Sequence, residues 1–116
     1  MKYQGSCHCK AVKFSFESEL ITQALQCNCS ICARKNALMS KGYILPADIE
    51  VTGQEHLSVY HWGDKDVNHY FCSKCGIYPF HDTTYEPRHL RINLGCVDDL
   101  DISSLKVTHF DGKHAL

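Results

Sequence analysis

Residues 71–76 read Phe-Cys-Ser-Lys-Cys-Gly, so that two residues separate Cys72 from Cys75 and Gly76 follows directly. This spacing is typical of a zinc knuckle, a tight turn that brings two thiol sulfurs round one metal ion. A structural zinc site is almost always tetrahedral, with four protein ligands. The knuckle therefore predicts a second pair of ligands elsewhere in the chain, and that pair decides which distant segments the fold holds together.

The second pair is predicted near the N-terminus, where Cys7 and Cys9 flank His8. On an extended strand, residues i and i+2 point to the same face, so the two sulfurs would project together while His8 points away. With Cys72 and Cys75 they form a four-cysteine cluster that offers zinc no vacant position. Such a site staples the N-terminal strand to the middle of the chain, and metal binding then contributes directly to the free energy of folding.

The central cysteines form a three-cysteine cluster of Cys27, Cys29 and Cys32, which lie within six residues. The run is predicted to cross the end of a strand and the first turn of a helix, so the three thiols can cap one face of a single ion. Three protein ligands leave a fourth position for water or substrate, which is the pattern of catalytic zinc. The spacing alone leaves a second reading equally open, in which a further side chain completes a structural site. The candidates for that fourth ligand are Cys96, His69 and His81.

The composition bounds the class of protein. The chain has 116 residues, of which 44% are hydrophobic and 22% charged, an ordinary balance for a single domain over residues 1–116. The formal net charge of -1 argues against nucleic acid as a partner. No apolar run approaches the roughly 18 residues of a membrane helix. No signal-peptide segment follows Met1, so we expect the reducing cytoplasm, where clustered thiols usually bind metal rather than form disulfides.

Most of the remaining sequence predicts short β-strands. Val12, Phe14 and Phe16 alternate with polar residues, the period-2 mark of a half-buried strand. The further β-rich stretches are residues 21–27, 39–45, 49–52, 57–62, 67–71, 77–80 and 90–94, with a hairpin turn at Gly63-Asp64 and an edge strand over 105–110. One helix is predicted over residues 29–38, with Ser30 as its cap. Strands and turns at this spacing indicate a mostly β domain of small antiparallel sheets with little helix.

The three groups of cysteines, in this order, resemble the glutathione-dependent formaldehyde-activating enzyme family, which also includes centromere protein V. The motifs that carry the resemblance are Gly5-Ser6-Cys7-His8-Cys9, Cys27-Asn28-Cys29-Ser30-Ile31-Cys32, and Phe71-Cys72-Ser73-Lys74-Cys75-Gly76 with Phe80. The resemblance runs over about residues 5–96 and implies a β-rich, tent-like fold. It implies two zinc ions per chain, a structural ion in the four-cysteine cluster and a catalytic ion in the three-cysteine cluster. This favours the reading with an open fourth position.

The chemistry that the resemblance implies is that of a carbon–sulfur lyase of the S-(hydroxymethyl)glutathione synthase type, in which glutathione adds reversibly to formaldehyde. Zinc lowers the pKa of a bound group, so a substrate thiol can bind as the thiolate at neutral pH. Three thiolate ligands donate much charge to the ion and should weaken it as a Lewis acid towards a carbonyl. Thiol binding is therefore the favoured role, with glutathione as the expected partner.

Two positions beside the three-cysteine cluster depart from the family's usual pattern. Asn28 stands where the family often has histidine, and Ala33 stands where it often has a basic residue. Neither change removes a metal ligand. Arg34 and Lys35 lie just beyond the cluster and are candidates to meet the carboxylates of glutathione, although a solvated cationic face is the more ordinary role. The alternative function is a zinc-stabilised binding module without catalysis, as centromere protein V suggests.

Overall fold

The computed structural model describes residues 1–63 and 65–115, within which ten strands form three small sheets. The strands are β1 (Lys2–Ser6), β2 (Lys13–Glu17), β3 (Gln23–Cys27), β4 (Met39–Ser40), β5 (Ile49–Thr52), β6 (Leu57–Tyr60), β7 (Val67–Cys72), β8 (Phe80–Thr83), β9 (Leu90–Ile92) and β10 (Lys106–Phe110). The helices are α1 (Ser30–Lys35) and α2 (Gly112–Ala115), with 3₁₀ turns at Pro46–Asp48, Gln54–His56, Leu94–Cys96 and Ile102–Ser104. The prediction of a mostly β domain is confirmed. Within the described residues, no helix has the length and apolar character needed to cross a membrane.

Two of the sheets are wholly antiparallel, as predicted, with the orders β1-β2-β5 and β6-β7-β8-β9. The third has the order β10-β3-β4, in which β4 runs antiparallel to β3 but β10 runs parallel to it. β10 lies at the edge of its sheet, as predicted, but its parallel direction differs from the prediction. The alternation of polar and apolar residues indicates which face of the sheet each side chain lies on. It does not indicate whether the neighbouring strand runs parallel or antiparallel. Most of the chain separates β3 from β10, which provides the long crossover that parallel strands need.

The hydrophobic core takes side chains from all three sheets. In β2, Phe14 and Phe16 are buried while the terminal residues of the strand are exposed, which is the predicted alternation. The two rings have centroids 6.1 Å apart, and Phe14 meets Phe80 of β8 edge-on at the same separation. Gly5 of β1 is required because a Cβ at this position would overlap the Phe14 ring. This close packing brings the end of β1 near the sheet that contains β7 and β8.

Helix α1 is shorter than the predicted 29–38. It ends at Lys35 because Asn36 takes a left-handed conformation, with φ 50° and ψ 45°, and its amide donates to the Cys32 carbonyl. The N-cap is Cys29 rather than Ser30, and its side chain makes no capping hydrogen bond. The short helix therefore serves mainly to hold two cysteines one turn apart.

Three strand boundaries also differ from the prediction. β3 begins at Gln23, and β4 covers only two residues because a bend at residues 41–42 interrupts the predicted 39–45 stretch. β8 begins at Phe80, since the residues before it form the irregular segment that leaves the cysteine knuckle. Strands β6 and β7 pair antiparallel on either side of the predicted Gly63-Asp64 turn, of which Asp64 lies outside the described residues.

Candidate metal centres

The first cysteine pair lies in the loop between β1 and β2, which pair as an antiparallel hairpin. The prediction of an extended strand through Cys7 and Cys9 is wrong, because β1 ends at Ser6 and the chain reverses before β2. The turn is closed by the amide of Lys10, which donates to the Cys7 carbonyl at 3.2 Å while Lys10 has a φ of 65°. The reversal still brings the two sulfurs together, at 3.7 Å.

The second pair lies in a knuckle at the end of β7, as predicted. Cys72 is the last residue of the strand, and the amide of Gly76 donates to its carbonyl at 2.8 Å. Gly76 has a φ of 78°, a left-handed conformation that glycine adopts without steric cost. In the two loops, the amides of Val12 and Lys74 approach the sulfurs of Cys7 and Cys72, each at 3.4 Å. The amide of Lys74 favours the thiolate form of Cys72, which is the form that binds metal.

The sulfurs of the four-cysteine cluster all lie within 4.8 Å of one another. The Cys9 sulfur is 3.7 Å from the sulfurs of both Cys7 and Cys72. A tetrahedral zinc with Zn–S bonds of about 2.3 Å holds its sulfurs roughly 3.8 Å apart, so the observed spacing fits that ion. Cys7 and Cys72 are buried, with 2% and 0% exposure. The cluster joins the β1–β2 hairpin to the end of β7, and Cys9 and Cys72 are 63 residues apart in the chain.

Backbone amides also lower the pKa of two of these thiols. The backbone amides of Cys9 and Ile77 lower the pKa of Cys75 to about 6. The pKa of Cys72 is lowered chiefly by the backbone amide of Cys75. Because the thiolate is the metal ligand, the loop around Cys72 and Cys75 favours the ionisation state that binds zinc at these two residues.

The three-cysteine cluster lies where β3 passes into α1. Cys27 is the last residue of β3, Cys29 is the N-cap, and Cys32 lies in the first turn of the helix. Their sulfurs lie within 4.8 Å of one another, and the Cys29 amide donates to the Cys27 sulfur at 3.4 Å. The placement across a strand end and a helix start agrees with the prediction. The group offers one ion three ligands on one face.

Within residues 1–63 and 65–115, no other cysteine, histidine or acidic ligand atom joins the three-cysteine cluster. His69 and His81 instead meet the hydroxyl of Tyr78 through their Nδ1 atoms, at 2.7 and 2.8 Å. Cys96 lies near the four-cysteine cluster instead. Burial raises the pKa of Cys96 to about 11, and the charges of Cys7 and Cys75 in that cluster raise it further. The reading in which one of these residues completes a second closed site therefore finds no support in the described residues.

A cavity of about 350 Å³ opens beside the three-cysteine cluster. Its walls include Cys27, Asn28, Cys32, His109, Phe110 and Asp111. His109 and Phe110 are the last residues of β10, and Asp111 directly follows that strand. The parallel pairing sets the end of β10 against β3, with Phe110 opposite Cys27. The sequence pattern assigned them no role, because nothing in it indicates which strand would lie beside β3.

Asn28 connects the cluster to this cavity wall. Its side-chain amide donates to the Asp111 carboxylate at 3.0 Å, and its oxygen accepts from the amide of Lys113 at 2.8 Å. The hydrogen bond from Asn28 is the main cause that lowers the pKa of Asp111. The residue between the first two cysteines of the cluster thus anchors the segment that follows β10.

The two basic residues of α1 lie in unlike surroundings. The guanidinium of Arg34 is exposed and donates to the Ser30 carbonyl at 2.8 Å. The ammonium of Lys35 lies 4.1 Å from the centroid of the Tyr78 ring. Burial lowers the pKa of Lys35, and the charge of Cys32 is the largest effect that opposes this lowering. Lys35 therefore faces the protein, whereas Arg34 faces solvent.

The hydroxyl of Tyr78 is fixed by two uncharged histidines. Burial lowers the pKa of His69 to about 4 and that of His81 to about 2, so both are neutral at pH 7. Burial also raises the pKa of Tyr78 above its ordinary value, which keeps the phenol protonated. One histidine accepts the hydroxyl hydrogen, and the other donates its own to the phenol oxygen. This network places the Tyr78 ring against Lys35.

Comparison with known proteins agrees with this arrangement. The family model described as "Glutathione-dependent formaldehyde-activating enzyme" matches residues 2–110. Among solved structures, the chain is similar to a crystal structure of a Rhodobacter sphaeroides protein, with a TM-score of 0.78 and 29% sequence identity. That similarity covers 90% of this chain and 99% of the other. With both cysteine clusters inside the matched residues, the chain belongs to the glutathione-dependent formaldehyde-activating enzyme family.

Proposed function

We propose that the chain holds two zinc ions, a structural ion in the four-cysteine cluster and a catalytic ion in the three-cysteine cluster. It would act in the cytoplasm as a carbon–sulfur lyase of the S-(hydroxymethyl)glutathione synthase type, on adducts of a small thiol such as glutathione with an aldehyde such as formaldehyde. The observation that carries this proposal is the convergence of three sulfurs beside a cavity, with no fourth protein ligand among the described residues. Family membership supplies the reaction class.

The residues of the site divide the work as follows. Cys27, Cys29 and Cys32 are the ligands of the catalytic ion, which, when bound, lowers the pKa of a thiol at its fourth position. His109 and Asp111 supply polar groups to the wall of the cavity, and a thiol would approach the ion through this cavity. In the forward reaction the thiol sulfur forms a bond to the aldehyde carbon, and the electron pair of the broken C=O π bond moves to the oxygen. That oxygen takes up a proton in place of the one that the thiol released.

The test of thiol capture is a titration of glutathione against the full chain with both ions bound, and again after a mild chelator has removed the ion of the three-cysteine cluster. S-methylglutathione is the matched control because it keeps both carboxylates but has no free thiol. We expect binding of glutathione only with the metal present, and tighter binding as the pH rises, because thiolate binding releases a proton. Equal binding with and without that ion, or of both compounds, would refute capture of a thiolate by the metal.

Catalysis needs its own measurement. NMR line broadening or exchange measurements can follow how fast glutathione and formaldehyde interconvert with their adduct. The wild type is compared with the Cys29→Ser and Cys96→Ser variants. We expect acceleration by the wild type and by Cys96→Ser, and loss of acceleration in Cys29→Ser. Glutathione binding without any acceleration would leave the alternative function, a zinc-stabilised binding module without catalysis.

A further inference from the structure

Lys35 carries a buried charge that has no conventional partner. Its Nζ is buried and has no hydrogen-bond partner, and it is the one such side-chain nitrogen or oxygen in residues 1–63 and 65–115. None of the ion pairs in this part of the chain includes it. Removing an unpaired ammonium from water is strongly unfavourable, and contact with an aromatic face offsets only part of that cost. The position therefore calls for negative charge nearby.

The three-cysteine cluster is a source of negative charge for Lys35 once it holds a metal ion, because its thiols then bind as thiolates. Cys32 and Lys35 are three residues apart on α1, so their side chains lie on the same face of the helix. In agreement with this placement, the charge of Cys32 is the largest effect that opposes the lowering of the Lys35 pKa by burial. The two histidines that hold Tyr78 are neutral and cannot replace Lys35 as a cation. The ammonium thus faces the cluster across a region that water reaches poorly, where the dielectric constant is low and charge interactions are strong.

The charge of the zinc-loaded cluster depends on its fourth ligand. Three thiolates around a divalent ion carry one net negative charge, and a thiolate from a bound ligand raises that to two. A neutral ligand, such as imidazole or water, leaves it at one. A fixed positive charge beside the cluster therefore stabilises the complex with an anionic ligand more than the complex with a neutral one.

We propose that Lys35 is a positioning residue that makes the three-cysteine centre selective for an anionic fourth ligand, a thiolate, over a neutral one. The proposal rests on the proposed function, because it assumes that a thiol binds at this centre. Tyr78, fixed by His69 and His81, supports the Lys35 side chain in the required place. Arg34 does not share this role, since its guanidinium is exposed and turned back onto the helix.

The test compares Lys35→Met with Lys35→Arg, which keeps the charge, and with Arg34→Met, which removes a neighbouring exposed charge from the same helix. Each full chain is loaded with cobalt(II), because zinc has a filled d shell and its ligand changes are silent in absorption. The probes are 2-mercaptoethanol, which has no carboxylate and binds as a thiolate, and imidazole, which binds uncharged. Metal content and circular dichroism show whether each variant is folded and loaded.

We expect Lys35→Met to weaken the binding of 2-mercaptoethanol about 10- to 100-fold, the scale on which a nearby opposite charge favours an ionised group. Imidazole binding should change less than about twofold, and Lys35→Arg and Arg34→Met should bind both probes nearly as the wild type does. Equal weakening of both probes would indicate a merely structural role and would overturn the proposal. A loss seen with glutathione but not with 2-mercaptoethanol would also overturn it, because Lys35 would then be a carboxylate anchor.

The outcomes separate this inference from the proposed function. If the wild type binds imidazole but no thiol, the proposed function is wrong. If the wild type binds the thiol and Lys35→Met binds it equally well, the proposed function stands and the role of Lys35 is wrong. Should Lys35→Met fail to fold, Lys35→Gln removes the same charge with a polar side chain of intermediate length and gives the same comparison.

Discussion

Replacing Cys72 by serine should destabilise the fold much more than replacing Cys29. With zinc bound, Cys9 and Cys72 close a loop of 63 residues, and a cross-link over such a length contributes about 4 kcal/mol by restricting the unfolded chain. That is a large share of the roughly 5–15 kcal/mol that stabilises an ordinary domain. Cys29 closes loops of only a few residues between β3 and α1, which the backbone already orders, so its loss should cost about 1 kcal/mol.

The assay is equilibrium unfolding in urea with saturating zinc, followed by circular dichroism, for Cys72→Ser, Cys29→Ser and Cys96→Ser. Cys96→Ser is the matched control, because it makes the same chemical change at a partly buried cysteine outside both clusters. We expect a loss of up to about 4 kcal/mol for Cys72→Ser and about 1 kcal/mol for each of the others. If Cys29→Ser lowers the free energy of unfolding as much as Cys72→Ser, the assignment of one structural and one open site is wrong.

Two further predictions concern metal removal and pH. A mild chelator should remove one of the two zinc ions, because an ion with three protein ligands exchanges its fourth ligand with solvent. Metal analysis should show the loss of one ion while the circular dichroism spectrum stays native. Two ions that resist the chelator equally would contradict the open site. Folding lowers the pKa of His69 from 6.5 to about 4, so between these pH values the unfolded chain binds a proton at His69 that the folded chain does not. The free energy of unfolding should therefore fall by up to about 3 kcal/mol as the pH drops from 6.5 to 4. In urea unfolding at matched metal content, His69→Gln should remove that part of the pH dependence. If the free energy of unfolding of His69→Gln changes with pH as that of the wild type does, the pKa of His69 is the same in the folded and unfolded states.

The cysteine clusters could be predicted because metal ligation imposes short, regular spacing that is visible in the sequence. Cys27, Cys29 and Cys32 lie together because a strand end and one helical turn are local structures. The strand face of Phe14 and Phe16 was likewise visible in their alternation. These features share one property, which is that each is specified by residues within a few positions of one another.

The parts that could not be predicted depend on contacts between distant segments or on backbone detail. The left-handed Asn36 that ends α1 has no signal beyond an asparagine that would also suit a loop. The placement of Phe110 beside Cys27 requires the parallel pairing of β10. The support of Lys35 by Tyr78 requires the segment between β7 and β8 to lie against α1. The clustering of the cysteines was therefore predictable from the sequence, and the residues around them were not.

The parallel pairing of β10 with β3 has a consequence for the order in which the protein is assembled during translation. The four-cysteine cluster is complete once residue 75 has been synthesised, so an ion bound there, as proposed above, would organise the chain early. The cavity beside the three-cysteine cluster takes its wall from residues 109–111, which emerge from the ribosome about 35 residues later. A nascent chain can therefore bring the four cysteines together and form most of its sheets while the cavity beside the three-cysteine cluster still lacks one side.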